Sequence, residues 1–195
     1  VGIKKNANKV ALVECVKNGS LNNIDIKDKC FLLIILTKGK LEFKIGGGII
    51  TATAPSFLCF DETENPVLVT KSKAHYTQVY FHPKFLNINM TFPLLRSPNY
   101  GDIATTHDMF MLKPFTDKAY VIPIADTQAE KIEQSAEYMQ KELEEQRDWY
   151  WSCRSRSYFM EMMLMLERIY SVTAQWTLGK TDSIINQDLK KAVFF

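Results

Sequence analysis

The chain has 195 residues, 46% of them hydrophobic and 12% aromatic, with a formal net charge of +2. That is enough apolar material for one packed domain, and too balanced a charge for a nucleic-acid footprint; no run of about 18 apolar residues exists to span a bilayer. No secretory signal pattern occurs, and Cys15, Cys30, Cys59 and Cys153 are scattered without a CxxC pair. A reducing cytoplasm with buried free thiols is therefore expected, rather than a disulfide framework or a zinc site.

In chain order, Val10 to Lys17, Leu21 to Ile26 and Cys30 to Lys38 are β-branched and aliphatic. Asn18-Gly19 and Lys27-Asp28-Lys29 between them are turn chemistry, so three strands are predicted. Cys30 to Leu36 is apolar on both faces, as in a strand covered on each side. Leu41, Phe43 and Ile45 alternate with Lys40, Glu42 and Lys44, which predicts a half-buried strand joined through Gly46-Gly47-Gly48 to Ile49 to Thr53 as a hairpin. Ser56 to Phe60, Val67 to Lys71 and Ala74 to His82 follow at the spacing of a sandwich or barrel. Residues 87–125 are irregular and rich in proline and aromatics, with strand candidates at Met109 to Leu112 and Tyr120 to Pro123. So long a connection is expected to wrap the barrel.

The pattern changes at Thr127-Gln128-Ala129-Glu130, which has capping-box spacing. Ile132, Ala136, Met139 and Leu143 then recur at helical steps, with Lys131, Glu133, Gln140, Lys141 and Glu144 outward, and this helix is predicted to end near Arg147-Asp148. A second helix is predicted from about Ser152 to Thr173. It carries two apolar stripes: Tyr158, Met162, Met165, Ile169 and Val172, beside Phe159, Met163, Leu166 and Tyr170. A surface helix needs one stripe, so the second implies either a partner helix or burial in a larger core. Thr177 to Gln187 is polar and reads as a linker, with Asp188 as N-cap of a helix from Leu189 to Phe195. The chain starts at Val1 without methionine and stops at Phe195 within an apolar run, so a piece of a longer protein is expected.

The residues offer little catalytic chemistry. His75 and His82 are separated by an odd number of positions on one predicted strand, His107 lies elsewhere, and no HxH pair occurs, so neither a metal nor a cofactor is expected. Gly46-Gly47-Gly48 lacks the lysine and helix of a phosphate loop. Ser152, Ser155 and Ser157 lack nucleophile-elbow glycines. Cys153, beside Arg154 at a helix N-terminus, has the setting of a lowered thiol pKa, but a structural role is the expectation. The binding candidates are Tyr76, Gln78 and Tyr80, which share one strand face. Inside a small barrel they would orient a small polar ligand; at its rim their hydroxyls would simply meet water.

The order of these parts, the segment Gln78-Val79-Tyr80-Phe81-His82-Pro83-Lys84-Phe85-Leu86, and the run Trp151-Ser152-Cys153-Arg154-Ser155-Arg156-Ser157-Tyr158 with Glu161, Leu164 and Glu167-Arg168 after it, resemble the N-terminal half of AraC/XylS-family bacterial transcription regulators. The resemblance spans nearly the whole chain, although the proline-glycine-aspartate turn common in cupin-like domains stands here as Ala54-Pro55-Ser56. It implies a mainly β fold, a cupin-like β-barrel of the double-stranded β-helix type followed by two antiparallel helices. The implied division is an effector-binding barrel at 1–125, a helical dimerisation region at 126–173, a linker at 174–187, and a truncated start of the helix-turn-helix DNA-binding domain at 188–195. The implied function is that of a cytoplasmic, non-enzymatic transcription factor part. It would bind a small-molecule effector such as a sugar through Tyr76, Gln78 and Tyr80, and form a homodimer through Met162, Met165, Leu166 and Ile169. DNA would be contacted only by the missing domain. A stand-alone cupin-type isomerase or epimerase, and a ligand-free oligomerisation module, are the alternatives.

Overall fold

The computed structural model describes the backbone of residues 12–21, 30–97 and 103–192, and the side chains of all these except 103–106 and 174–192. The predicted strand Leu21 to Ile26 falls almost entirely outside the described residues. Among the described residues, six strands form one antiparallel sheet: β1 (Val13–Lys17), β2 (Phe31–Ile45), β3 (Gly48–Thr53), β4 (Ser56–Phe60), β5 (Val67–Phe81) and β6 (Val121–Pro123). Their order is β1-β5-β2-β4-β6, with β3 also paired to β2. The sequence suggests two strands in each of the regions that form β2 and β5; the structure joins each pair across a bulge.

β2 is the spine of this sheet. Along one side it pairs with β5 over nearly its whole length. Along the other it pairs first with β4 and then with β3, which lie end to end on either side of the cis Ala54-Pro55 bond. The hairpin turn between β2 and β3 rests on Gly46 and Gly47, at φ 53° and 90°, which side chains other than hydrogen tolerate poorly.

The long ribbon does not run straight. Leu32 lies opposite Phe60 in the β2–β4 ladder, yet the Phe43 ring also packs edge-on against Phe60 at 5.5 Å between centroids. Eleven residue steps separate Leu32 from Phe43, roughly 36 Å in a straight strand at about 3.3 Å per residue. The sheet therefore curls until its two ends share a core. The curl is not closed by hydrogen bonds: among the described residues, β1 and β6 are unjoined edges. The closed cupin-like barrel expected from the sequence is thus replaced by an open, strongly curled sheet followed by helices.

Each face of the sheet has its own core. Leu32, Ile34, Leu36, Leu41, Phe43, Leu58 and Phe60 fill the concave side. Phe31, Leu33, Ile35, Phe57, Cys59, Val79 and Phe81 point the other way, against the helices. This is why residues 31–36 are apolar at every position.

The segment after β5 is more helical than its composition suggests. A 3₁₀ turn at Pro83–Phe85 precedes α1 (Phe92–Leu95), α2 (Ile103–Phe110) and α3 (Lys113–Thr116). Met109 to Leu112, a strand candidate by its apolar run, closes α2 and turns into α3, because so short a run carries no period that separates strand from helix.

Helix α4 (Asp126–Glu145) buries Ala129, Ile132, Ser135, Ala136, Met139 and Leu143, the line that its periodicity marks out. Its N-cap is Ala125 and no side chain caps it. The Thr127–Glu130 capping box is not used, because Thr127 is already inside the helix and Asp126 supplies the negative charge that a helix N-terminus favours. Gln146, in the left-handed region at φ 45°, ends it.

Helix α5 (Trp151–Ala192) then packs antiparallel to α4, and it continues through the predicted linker and past Asp188. Residues 174–187 contain no proline, and Gly179 costs a helix only about 1 kcal/mol. No helix among the described residues is long and apolar enough to cross a membrane.

Candidate functional site

The ladder registers place the candidate ligand-binding residues. Tyr80 lies opposite Leu32, Gln78 opposite Ile34 and Tyr76 opposite Leu36, so all three face the concave core. Tyr76 and Gln78 are buried and Tyr80 half-buried. On the other side of β5, Glu14 stands opposite Tyr80 and Val16 opposite Gln78, which adds the half-buried Glu14 to the same face.

These groups form a polar strip. The Gln78 amide donates to the Tyr80 hydroxyl at 3.1 Å and, at 3.4 Å, to the Ser20 carbonyl. The Tyr76 hydroxyl donates to the Gly19 carbonyl at 2.6 Å and accepts from the Lys71 ammonium at 3.0 Å. The backbone N–H of Tyr76 donates to the Asn18 side chain. Residues 18–20 thus lie across the strip, and a Cβ on Gly19 would fall 2.3 Å from Gln78 Oε1, so a side chain there would displace the amide. Burial, then the nearby Glu14 and Tyr76, push the Tyr80 phenol up to about 12, so it stays a neutral hydroxyl at physiological pH.

Glu14 and Lys71 were missed in the sequence. The alternation Glu14, Val16 shows that these two share a face, but only the pairing of β1 on β5 shows that the face is that of Tyr80 and Gln78. The strip as found can offer an amide, two phenols and a carboxylate to a ligand. It has no nucleophile–base pair, and among the described residues no group of three or more His, Cys, Asp or Glu is placed to hold a metal ion.

The four residues proposed for a dimer contact separate into two kinds. Met162 and Leu166 are fully buried within their own chain, in the core between helices and sheet. Met165 and Ile169 are only partly covered. The stripe of Phe159, Met163 and Leu166 faces the sheet, and the Phe159 ring packs at a tilt against those of Phe81 and Phe85. The other stripe opens outward beyond Met162, where Val172 is exposed. Most of the first stripe is therefore deep core, and the second leaves more apolar surface.

The polar residues at the start of α5 tie it to the rest of the domain. Trp151 is buried in the core. Arg154 pairs with Glu142 at 2.7 Å and Asp148 at 3.1 Å, spanning the α4–α5 turn. Arg156 donates to the Phe85 carbonyl at 3.1 Å and to that of Leu86. Of the four cysteines, Cys15, Cys30 and Cys59 are buried and Cys153 is exposed, none of them in a disulfide. Burial, with Glu144 and Glu14 nearby, pushes the Cys15 thiol up to about 12, and its Sγ donates to the Ala136 carbonyl. That thiol is a packing group, not a nucleophile.

No protein-family model matches the chain, and no curated protein is detectably similar to it.

Proposed function

We propose that this chain is the effector-sensing and dimerisation part of a bacterial transcription regulator of the AraC/XylS type, acting in the cytoplasm without catalysis. In this reading the curled sheet is an open variant of the cupin-like barrel, and DNA is bound by a domain outside this chain. The observation that carries the reading is the strip Glu14–Tyr80–Gln78–Tyr76 on the concave face of the sheet. Hydroxyls, an amide and a carboxylate lined up in an otherwise apolar concavity suit a small polyhydroxylated ligand. The half-open stripe of Met165, Ile169 and Val172 on α5 supports pairing with a second copy across a two-fold axis, methionine making such a contact adaptable.

A second reading, a ligand-free oligomerisation module, is favoured by a different observation. The strip already spends hydrogen bonds on Gly19 and Ser20, and its neighbours on the concave face are aliphatic and aromatic. A thermal-shift screen with aldoses and small polyols separates the two. The sensor reading expects a saturable rise in Tm that is lost in Gln78→Leu. If no compound in the screen shifts the midpoint and Gln78→Leu still assembles as the wild type does, the module reading stands.

A further inference from the structure

A pocket of about 370 Å³ lies between the β4–β5 connection, the end of α1, and α2–α3. Asp61, Arg96, Met109, Phe110, Lys113 and Asp117 contribute to its walls. Of its four charges, one is in an ion pair and one is an exposed carboxylate with a hydrogen bond of its own. Arg96 pairs with the buried Glu62, and Asp117 accepts a hydrogen bond from the Tyr170 hydroxyl at 2.8 Å.

The other two are in no ion pair among the described residues. Asp61 is 5% exposed, and its Oδ1 accepts from the Thr63 backbone at 2.7 Å and the Thr63 hydroxyl. Among the described residues no cation pairs with it. A carboxylate held out of water with hydrogen bonds but no ion-pair partner still has lone pairs to offer a donor. Lys113 sits over the Phe110 ring at 5.1 Å, and among the described residues no carboxylate pairs with it. A buried carboxylate and an exposed ammonium, neither in an ion pair among the described residues, therefore line one small cavity.

We propose that this pocket binds a small zwitterion, with its ammonium at Asp61 and its carboxylate at Lys113, against the apolar wall of Met109 and Phe110. The volume is near the lower end of small-ligand sites, roughly 300–1,000 Å³, which suits an amino acid or ω-amino acid and not a nucleotide. This site does not rest on the regulator reading and shares no residue with the concave strip.

The test is isothermal titration calorimetry of the whole chain with glycine, β-alanine, γ-aminobutyrate and ε-aminocaproate, a ruler of ammonium–carboxylate separation. Butylamine and butyrate serve as single-charge controls. The expected result is saturation by at least one zwitterion with a Kd below roughly 1 mM. The single-charge compounds should bind about tenfold more weakly or worse, and Asp61→Asn and Lys113→Ala should each lose about tenfold in affinity or more. Asn keeps the oxygen that Thr63 uses, and Lys113 is exposed, so both variants are expected to fold. If Asp61→Asn does not, Lys113→Ala and the single-charge controls decide alone. The proposal is overturned if no member of the series saturates, if butylamine or butyrate binds as well as the best zwitterion, or if Lys113→Ala binds like the wild type.

Discussion

Gly39 on β2 and Lys73 on β5 sit at the bend of the long ribbon, both in the left-handed region, at φ 81° and 46°. The backbone is so close there that a Cβ on Gly39 would lie 2.3 Å from the Ser72 carbonyl oxygen. The ladder register shifts on either side of this point, and the ribbon beyond it returns to the concave core. Gly39→Ala is expected to cost about 2 kcal/mol or more, since backbone strain of roughly 1–2 kcal/mol is joined by a clash with main chain that cannot move aside. Lys73→Gly is expected to have the opposite sign, with a gain of up to about 1 kcal/mol from relieved strain. Urea denaturation of the two variants measures both, and equal destabilisation would show that the bend does not depend on these angles.

The two apolar stripes of α5 give a second pair of variants with different outcomes. Leu166→Glu places an unpaired charge in the core between helix and sheet and is expected to cost about 3–5 kcal/mol, enough to unfold the domain. Met165→Glu or Ile169→Lys changes the half-open stripe. These variants are expected to stay folded by circular dichroism while converting the dimer of the proposed function to a monomer. Sedimentation showing a wild-type monomer at high micromolar concentration would remove the need for a partner at this stripe.

Arg156 is expected to hold the segment 85–86 against α5 through the carbonyls of Phe85 and Leu86. Arg156→Lys keeps the charge but not the planar fork that reaches two acceptors. The expected loss is about 1–2 kcal/mol in either Arg156→Lys or Arg156→Ala, with faster amide exchange at residues 85–90. Rescue of the full wild-type stability by lysine would show that charge alone suffices.

His82 gives the domain a pH dependence of defined sign. Burial, and then the neighbouring Lys84 ammonium, hold its imidazole below the ordinary histidine value, and its Nδ1 accepts from the Lys84 backbone N–H at 3.1 Å. Between the lowered folded value and the ordinary value near about 6.5, the unfolded chain carries a proton that the folded chain lacks. Stability therefore rises with pH through this window and falls as the solution is acidified through it, while below it both states carry the proton and His82 adds no further slope. His82→Asn, which keeps an acceptor for Lys84, is expected to flatten the pH 5–7 slope (roughly the range of histidine titration). An unchanged slope would assign the dependence to other groups.

Much of the fold follows from local pattern. The alternation of Leu41, Phe43 and Ile45, the glycine turn at 46–47, the strand Ser56–Phe60 and the inward line Ile132, Ala136, Met139 and Leu143 are settled by period and turn chemistry, because each uses contacts within a few residues. Features set by distant neighbours were not legible. Whether the curl closes depends on how β1 and β6 meet other strands. Glu14 joins the candidate strip only through its ladder partner Tyr80. The choice between two equal stripes on α5 falls to Phe81 and Phe85, which take Phe159 into the core and leave Met165 and Ile169 toward the outside. Asp61 and Lys113 are 52 positions apart in the sequence and become walls of one pocket only when α3 packs near the end of β4. Sequence periodicity states which face of an element is apolar; which surface it meets, and which charges are left without partners, is decided by the packing of elements far apart in the chain.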